Sequence, residues 1–309
     1  MKIIFADPIK LMIGDKKRFQ MAGVSEFYED IPNSNFEIIK RLDSADVILT
    51  NSLKLDETIY SNLKRPKFII KTGVETFGVQ PKIAAKYGIK VLNCPNWNTN
   101  AVAEHAIGLI LGLYRQLFSA QKSLQSGVWS QLDYSGSEIR NKNVLLIGYG
   151  NVGKRLNEIF DVFSAEVDFT NSKTSKGELY SKTEVADIII LCCALNESTI
   201  GLLDANVLER FKPSAILINV SRGSVVNESK LLDCLKQNKI AGAGLDVFVD
   251  EPHQGDIISK EILELSKLPN TICTPHIAYS TNEARSNRVQ ELLDNIESIK
   301  SNMVVNCVN

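Results

Sequence analysis

The sequence lacks three features that would place it in other classes of protein. It has no apolar run long enough to cross a membrane, no block of basic residues and no CxxC spacing among its six cysteines. Because the formal net charge is only -1, neither nucleic acid nor an anionic membrane is expected as the main partner. The composition instead predicts a small-molecule partner.

The cysteines and the first residues of the chain predict the cellular compartment of the protein. Cys192 and Cys193 are adjacent within an apolar stretch, which is typical of reduced packing residues rather than of a disulfide framework or a metal site. The apolar run at residues 3–6 is too short for a signal peptide. We therefore expect a cytoplasmic protein with reduced thiols and no bound metal.

Length and periodicity predict two α/β domains. A chain of 309 residues with 44% hydrophobic content exceeds the usual size of one domain. Short apolar runs alternate with amphipathic helical stretches, the pattern of doubly wound parallel sheets. A single long helix is predicted over residues 100–125 and a final one over 282–301. Strands are predicted at residues 2–5, 46–49, 67–71 and 90–92, and in a second set at 143–147, 166–170, 187–192, 215–219, 242–247 and 271–274.

A glycine turn opens the second set of strands. Gly148, Gly150 and Gly153, with Asn151 and Val152 between them, follow an apolar strand and begin a helix. A lone GxGxxG is weak evidence, since many such turns bind nothing, but this context allows close approach of the backbone to a pyrophosphate. The turn therefore predicts a dinucleotide site.

The end of the next strand bears on which dinucleotide is bound. Asn171, Ser172 and Lys173 occupy the position where an acidic residue would bind the adenosine ribose of NAD. A lysine and uncharged donors accommodate a 2′-phosphate, so NADP is favoured and NAD is the alternative. Two other interpretations stay open: Asp168, inside the strand, is the ribose ligand, or Lys173 belongs to a solvated loop.

Three residues downstream of the turn could carry out chemistry on a 2-oxo acid. A guanidinium at Arg222 can hold a carboxylate, an imidazole at His276 can exchange a proton with the reacting oxygen, and a carboxylate at Glu251 can fix the imidazole's tautomer. Asp250 is a rival for the role of Glu251, and His276 has the alternative of a core histidine. The other two histidines are less promising, because His105 lies in an apolar run, typical of the core, and His253 in a loop.

The local sequences around these residues resemble a known family. Residues 218–223 (INVSRG), 244–248 (GLDVF) with Glu251-Pro252, and 274–278 (TPHIA) are similar to the three signature blocks of the D-isomer specific 2-hydroxyacid dehydrogenases. Residues 93–104 resemble the family's interdomain segment, and residues 304–306 fit its terminal tail. The resemblance covers most of the chain.

The resemblance implies an architecture and an activity. It implies a Rossmann dinucleotide-binding domain at residues 99–280, a flavodoxin-like substrate domain at 1–98 and 281–309, and a cleft between them. It implies a homodimer that transfers a hydride between a nicotinamide cofactor and a small D-2-hydroxy or 2-oxo acid. The Glu-Pro pair favours Glu251 over Asp250. Leu195, Val220 and Asp246 would then lie at the cofactor.

The first domain departs from the family pattern. Where members usually have Gly-Val-Gly or Gly-Ala-Gly followed by Asp-Asn, residues 73–80 read GVETFGVQ. Val74, Glu75 and Asn98, together with Arg222, are the predicted substrate-binding residues, and a carboxylate at Glu75 is unfavourable for an anionic substrate unless it points away or binds a polar tail. Two alternatives stay open: phosphoglycerate as the substrate, and a dinucleotide-sensing protein that resembles corepressors of this fold.

Overall fold

The computed structural model describes residues 1–253 and 255–309, and the chain splits into two compact units. Unit 1 comprises Met1–Asn98 with Thr281–Asn309, and unit 2 comprises Thr99–Ser280. Each unit has its own parallel sheet, of five strands in unit 1 and six in unit 2. The predicted α/β class with two doubly wound parallel sheets is confirmed.

The elements follow one another in the alternation that the periodicity predicts. The first part of the chain forms β1 (Ile3–Phe5), α1 (Asp15–Met21), β2 (Val24–Phe27), α2 (Asn35–Leu42), β3 (Val47–Thr50), α3 (Glu57–Tyr60), β4 (Phe68–Lys71), α4 (Pro81–Lys86) and β5 (Lys90–Leu92). The rest forms α5 (Thr99–Tyr114), α6 (Leu117–Gln125), β6 (Asn143–Ile147), α7 (Asn151–Val162), β7 (Glu166–Thr170), α8 (Lys176–Val185), β8 (Ile188–Leu191), α9 (Ala205–Leu208), β9 (Ile216–Asn219), α10 (Glu228–Lys236), β10 (Gly242–Leu245), α11 (Lys260–Lys267), β11 (Thr271–Cys273) and α12 (Asn282–Lys300).

Unit 1 has the strand order β2-β1-β3-β4-β5. The chain places β2 on one side of β1 and β3 on the other, so the direction of winding reverses between β1 and β3. The last residues return to the edge strand β5, where Cys307 pairs antiparallel with Leu92 and the Val308 N–H donates to the Val91 carbonyl at 2.9 Å. Backbone pairing thus joins the C-terminal segment to unit 1.

Unit 2 has the strand order β11-β10-β9-β8-β6-β7, and its winding reverses between β6 and β8. Side chains alternate between the two faces of the sheet, as the pleat requires. Leu145 and Ile147 on β6 enter one apolar core, while Val144 and Leu146 enter the other. Helices cover both faces, which explains why these strands read as unbroken apolar runs.

The structure corrects the predicted helix over residues 100–125. It forms two helices, α5 and α6, because Gln116 adopts a left-handed backbone conformation with φ of 51° and interrupts the helical hydrogen bonds. Helix α5 packs closely on the sheet: a Cβ added at Gly244 would lie 2.9 Å from the Cβ of Leu109. None of the helices in the described ranges combines the length and hydropathy that crossing a membrane requires.

Candidate active site

The unit 2 residues that are predicted to bind the cofactor or to take part in the reaction lie at one edge of the unit 2 sheet. Each follows the carboxyl end of a parallel strand, the edge where open α/β sheets bind ligands. Successive strands from β6 to β11 contribute Gly148 to Gly153, Asn171 to Lys173, Leu195, Val220 with Arg222, Asp246, and His276. The Glu251 side chain reaches the same edge from the loop after β10.

The glycine turn has the shape that a dinucleotide cradle needs. Gly148 has a φ of 106°, and a Cβ there would lie 2.6 Å from the Cα of Cys193. A Cβ at Gly153 would lie 2.5 Å from the carbonyl oxygen of Gly148, so α7 can approach the strand only with glycine there. Gly150 is the N-cap of α7, has no side chain to cap the first turn and faces open space. These features fit a bound pyrophosphate.

The residues after β7 form a compact turn. The Asn171 side-chain oxygen accepts the Lys173 N–H at 2.9 Å, and the Asn171 N–H donates to the Thr174 hydroxyl at 3.0 Å. The turn borders a cavity of about 260 Å³ that is also lined by Lys176. Asp168 lies within β7, before its carboxyl end, and its carboxylate pairs with Lys182 at 2.8 Å.

The Arg222 loop is fixed by backbone packing. Arg222 is half-buried, and the next residue, Gly223, has no room for a side chain, because a Cβ would lie 1.9 Å from the carbonyl carbon of Phe248. The Asn219 side chain donates to the Arg222 carbonyl at 3.1 Å and accepts the Ser221 N–H at 3.1 Å. The Asn219 contacts fix the loop after β9, and the close approach of Gly223 to Phe248 packs it against the loop after β10.

His276 and Glu251 form the central contact of the site. The His276 Nδ1 lies 2.7 Å from a Glu251 carboxylate oxygen, and the Phe248 N–H donates to the other oxygen at 3.2 Å. Burial raises the pKa of Glu251, but the hydrogen bond and charge of His276 act the other way, assisted by Phe248 and Arg222, and the pKa is lowered overall. Asp250, the rival in the sequence, is exposed.

The loop that carries His276 has an unusual backbone. His276 has a φ of 51°, in the left-handed region that costs a non-glycine residue about 1–3 kcal/mol. Asp246 holds this loop: its carbonyl accepts the His276 N–H at 2.8 Å, and its carboxylate accepts the N–H groups of Ile277 and Ala278, each at 2.9 Å. Asp246 is almost completely buried.

The structure corrects the prediction that His105 is a core residue. His105 lies on α5 with its side chain 21% exposed, and its Nε2 is 3.0 Å from the Thr274 hydroxyl and 3.5 Å from an Asp246 carboxylate oxygen. The apolar neighbours in α5 concealed this polar contact. The adjacent pair Glu104-His105 in that run was the available signal. His253 is exposed.

The other predicted substrate residues belong to unit 1. Val74 is exposed, and its carbonyl accepts a hydrogen bond from the Asn93 side chain at 2.7 Å. Asn98 is half-buried at the end of the first segment of unit 1. Val74 follows the carboxyl end of β4, so its loop lies at the ligand-binding edge of the sheet.

Glu75 belongs to a charged cluster at this edge, a feature that the sequence did not reveal. Burial lowers the pKa of Lys71, at the end of β4, while the charges of Asp7 and Glu75 act in the opposite direction. The Lys71 ammonium donates to the Asn51 carbonyl. Asp7 is fully buried and accepts N–H groups from Asn51, at 2.9 Å, and from Ser52. Glu75 thus acts electrostatically on Lys71.

The fold and the site are those of a dinucleotide-binding α/β protein in which an arginine, a glutamate and a histidine lie at the same sheet edge as the glycine turn. Comparison with known proteins agrees. A model of the family "D-isomer specific 2-hydroxyacid dehydrogenase, NAD binding domain" matches residues 107–278. A glycerate dehydrogenase of Methylorubrum extorquens is 31% identical over 281 residues, 88% of this chain and 88% of that protein.

Two solved structures match nearly the whole chain. An acyclic imino acid reductase in complex with NADPH and D-Arg has a TM-score of 0.89 and 30% identity, with 100% of both chains covered. An NADPH-dependent glyoxylate/hydroxypyruvate reductase of Sinorhizobium meliloti, in complex with NADP and malonate, has a TM-score of 0.83 and 26% identity, with 99% of this chain and 96% of that one covered.

The chain belongs to the D-isomer specific 2-hydroxyacid dehydrogenase family. It is an NAD(P)-dependent oxidoreductase that interconverts 2-hydroxy and 2-oxo acids. The predicted family, reaction class and use of a nicotinamide cofactor are confirmed. The matching family model is described as NAD binding, while the two solved relatives are complexes with NADPH and with NADP.

Proposed function

We propose that this enzyme reduces a small 2-oxo acid to the D-2-hydroxy acid with NADPH, and that Arg222, Glu251 and His276 carry the reaction. The observation that supports this most directly is the 2.7 Å contact between His276 Nδ1 and Glu251 at the carboxyl edge of the unit 2 sheet. When bound, the reduced nicotinamide would supply a hydride to the carbonyl carbon. Residues of the chain then supply the proton and hold the substrate.

His276 gives the proton. Because the Glu251 carboxylate can only accept, Nδ1 of His276 carries the hydrogen of that contact, and Nε2 is left to exchange a proton with the reacting oxygen. In reduction, the hydride forms the new C–H bond, the carbonyl π pair moves to oxygen, and the oxygen takes the proton from Nε2. Glu251 stabilises the imidazolium from which this proton leaves.

Arg222 binds the substrate carboxylate. Its guanidinium can donate two parallel hydrogen bonds to a carboxylate. The same positive charge contributes to the lowered pKa of Glu251. The glycine at 223 and the Asn219 contacts fix the loop from which Arg222 projects. A fixed loop limits the entropy lost when substrate binds.

NADPH is the proposed cofactor. The pyrophosphate would lie at the N-terminus of α7 over Gly150, Asn151 and Val152, and the adenosine ribose at Asn171 and Ser172. Lys173 is exposed there, so its ammonium group is available to a 2′-phosphate, while Lys176, which lines the adjoining cavity, is paired with Asp204 at 3.1 Å. Asp168 is already paired with Lys182, which supports its exclusion as ribose ligand. Leu195, Val220 and Asp246 would complete the cofactor surface.

Val74, Glu75 and Asn98 are proposed to contact the part of the substrate that does not react. A carboxylate at Glu75 disfavours a phosphate or second carboxylate there by like-charge repulsion, and it favours a neutral or cationic group. Glyoxylate, pyruvate and hydroxypyruvate therefore fit better than phosphohydroxypyruvate. The phosphoglycerate alternative is correspondingly disfavoured.

A second candidate is reduction of an imino acid. The solved imino acid reductase is 30% identical over the full length of both chains, and D-Arg, which it holds in complex, has a cationic side chain that a residue such as Glu75 could accept. The hydride would then add to the carbon of a C=N bond while the nitrogen gains a proton. Arg222 would keep its role, because such a substrate retains its carboxylate.

A homodimer is proposed as the assembly. Residues 117–132 expose six large apolar side chains on one short segment, more than isolated surface residues require. They are Leu117, Phe118, Leu124, Val128, Trp129 and Leu132. We propose that a second copy of the chain buries this apolar segment, and light scattering after size exclusion chromatography tests it.

All six cysteines are free, which supports the proposed cytoplasmic location.

The deciding experiment is a two-cofactor screen. We expect NADPH to be oxidised with glyoxylate, pyruvate or hydroxypyruvate, at a lower KM than NADH. The same 2-oxo acids with added ammonia or an amine test the imino acid candidate. Faster turnover with the amine present would make imino acids the preferred substrates, and a lower KM for NADH would reject the proposed cofactor.

A further inference from the structure

We propose that His105 is a positioning residue: through Thr274 and Asp246 it holds the loop of residues 275–278 in the conformation that presents His276. This inference rests on the proposed role of His276. It is carried by a chain of hydrogen bonds that runs from α5 to that loop, wholly within unit 2.

The direction of these hydrogen bonds follows from their chemistry. The Thr274 hydroxyl lies 2.6 Å from an Asp246 carboxylate oxygen, and because a carboxylate only accepts, the hydroxyl donates its single hydrogen there. The Thr274 oxygen must then accept from His105, whose Nε2 is 3.0 Å away. His105 therefore carries a hydrogen on Nε2. It is the first donor in the chain.

Asp246 connects this chain to the loop. The carboxylate oxygen that accepts from Thr274 also accepts the Ile277 N–H at 2.9 Å, and the other accepts the Ala278 N–H at 2.9 Å. The Asp246 carbonyl accepts the N–H of His276 itself at 2.8 Å. One almost fully buried aspartate thus fixes three successive amides.

The loop needs this support, because its conformation is strained. His276 is held at a φ of 51°, and such backbone geometry persists only where the surroundings determine it. If Asp246 turned away, the backbone would relax and the His276 ring would leave Glu251. Misplacement of a proton donor by about 1 Å costs on the order of 100-fold in rate.

The packing of α5 against the sheet fixes the position of His105. The helix lies close enough to β10 that a Cβ at Gly244 would meet the Leu109 side chain at 2.9 Å. A second glycine, Gly112, allows the same approach to Ile272 on β11, where an added Cβ would lie 2.8 Å from Cδ1. These contacts place His105 beside Thr274 at the end of β11.

The test is a set of matched variants. His105→Leu removes the donor at similar size, His105→Gln places an amide donor near the same point, and Thr274→Val removes the hydroxyl while keeping the shape. Glu104→Gln, an exposed neighbour on α5, is the control. We expect H105L and T274V to lower kcat by about 10- to 100-fold, with H105Q and E104Q close to wild type. The Tm should change little.

Two further measurements separate positioning from other roles. The double variant H105L/T274V should be no slower than T274V alone, because both changes break one chain. The ring ¹⁵N shifts of His276 should move in cofactor-free H105L; the chain has only three histidines, so the signals are assigned by substitution. This spectrum does not depend on catalysis. It still decides the inference if His276→Asn leaves turnover unchanged and so rejects the proposed role of His276.

Three results would overturn the inference. Where His276→Asn itself lowers turnover, they are a kcat of H105L within twofold of wild type, an equal loss in H105Q and H105L, and losses that multiply in the double variant. Independently of turnover, ring ¹⁵N shifts of His276 that do not move in H105L would also overturn it.

Discussion

In both units, a buried aspartate at the carboxyl edge of the sheet accepts backbone N–H groups from a neighbouring loop. In unit 1, buried Asp7 after β1 accepts amides from the loop after β3, the neighbouring strand. In unit 2, buried Asp246 after β10 accepts amides from the loop after β11, again the neighbouring strand. A carboxylate at a strand end thus fixes the next loop in both units.

The difference lies in what the fixed loop carries. The unit 2 loop carries His276, which contacts Glu251, and it lies within the residues that match the family model. The unit 1 loop carries Asn51, whose carbonyl accepts from Lys71, and nearby Glu75 replaces a glycine of the family pattern. We infer that unit 2 holds the chemistry common to the family, while the unit 1 edge adapts the enzyme to its own substrate.

The largest expected effect breaks the chemistry in unit 2. His276→Asn keeps a polar side chain but removes the proton donor, so kcat for reduction should fall by about 10²- to 10⁴-fold. Cofactor affinity, measured by fluorescence titration, should stay near the wild-type value, because His276 is not placed at the cofactor cradle. A turnover close to wild type would mean that another group supplies the proton.

Arg222→Lys should act on substrate binding. A lysine keeps the charge but not the planar pair of donors, so kcat/KM for pyruvate should fall by about 100-fold. A carbonyl compound without a carboxylate is the matched probe, since it makes no bidentate contact to lose. Equal losses on both probes would assign Arg222 a structural role.

How far the sequence predicts this molecule depends on whether the information is local. Strand positions were predicted well because residues buried on both faces form continuous apolar runs, and β6, for example, has the predicted bounds of residues 143–147. Strand β2 and helices α1, α2, α8 and α11 were not predicted. Strand β2 has one fully buried residue, Val24, so its pattern is weak.

The site shows the same limit. Arg222, Glu251 and His276 are predicted as site residues because each lies in a short recognisable block. The contacts His105–Thr274 and Lys71–Asn51 join residues 169 and 20 positions apart, and no local pattern encodes them. The left-handed conformation of His276 was also invisible, because it is imposed by Asp246 rather than by the residues beside it. Contacts between residues far apart in the chain therefore determine the features of the site that the sequence does not predict.

The choice between NADPH and NADH is tested at the residues that follow β7. Asn171→Asp places a carboxylate at the end of β7, where it repels a 2′-phosphate and accepts from a ribose hydroxyl. We expect the ratio of kcat/KM for NADPH to that for NADH to fall by about tenfold or more. Lys173→Ala, which removes a proposed phosphate donor, should change the ratio in the same direction. An unchanged ratio in both variants would place the 2′-phosphate elsewhere.

The unit 1 edge is tested by removing one charge. Glu75→Gln keeps the size of the side chain but removes both the repulsion of an anionic tail and the charge that acts on Lys71. The kcat/KM for phosphohydroxypyruvate relative to pyruvate should rise by about tenfold. Glu57→Gln, an exposed glutamate on α3, is the control for a change of net charge. Equal ratios in the two variants would remove Glu75 from substrate selection, and with it the proposed contrast between the units.

The smallest expected effect is a change in the titration of Glu251. The contact to His276 lowers the pKa of this carboxyl against the opposing effect of burial, so in His276→Asn the pKa should rise. The measurement is ¹³C NMR of the glutamate carboxyl groups as a function of pH. Glu228 is the internal reference: burial raises its pKa, its carboxylate accepts the Val249 N–H at 2.8 Å, and its signal should move less.

The sign of the accompanying stability change follows from linkage. In the wild type the lowered pKa of Glu251 stabilises the fold above the pKa of this group in the unfolded chain, and the contribution is lost as pH falls through the folded-state value. In H276N that contribution is reduced, so the free energy of unfolding should fall less steeply on acidification through this window. If the Glu251 signal titrates at the same pH in both proteins, the 2.7 Å contact does not control this carboxyl in solution. Glu251 would then hold the loop of residues 248–251 through the Phe248 amide, without stabilising the imidazolium.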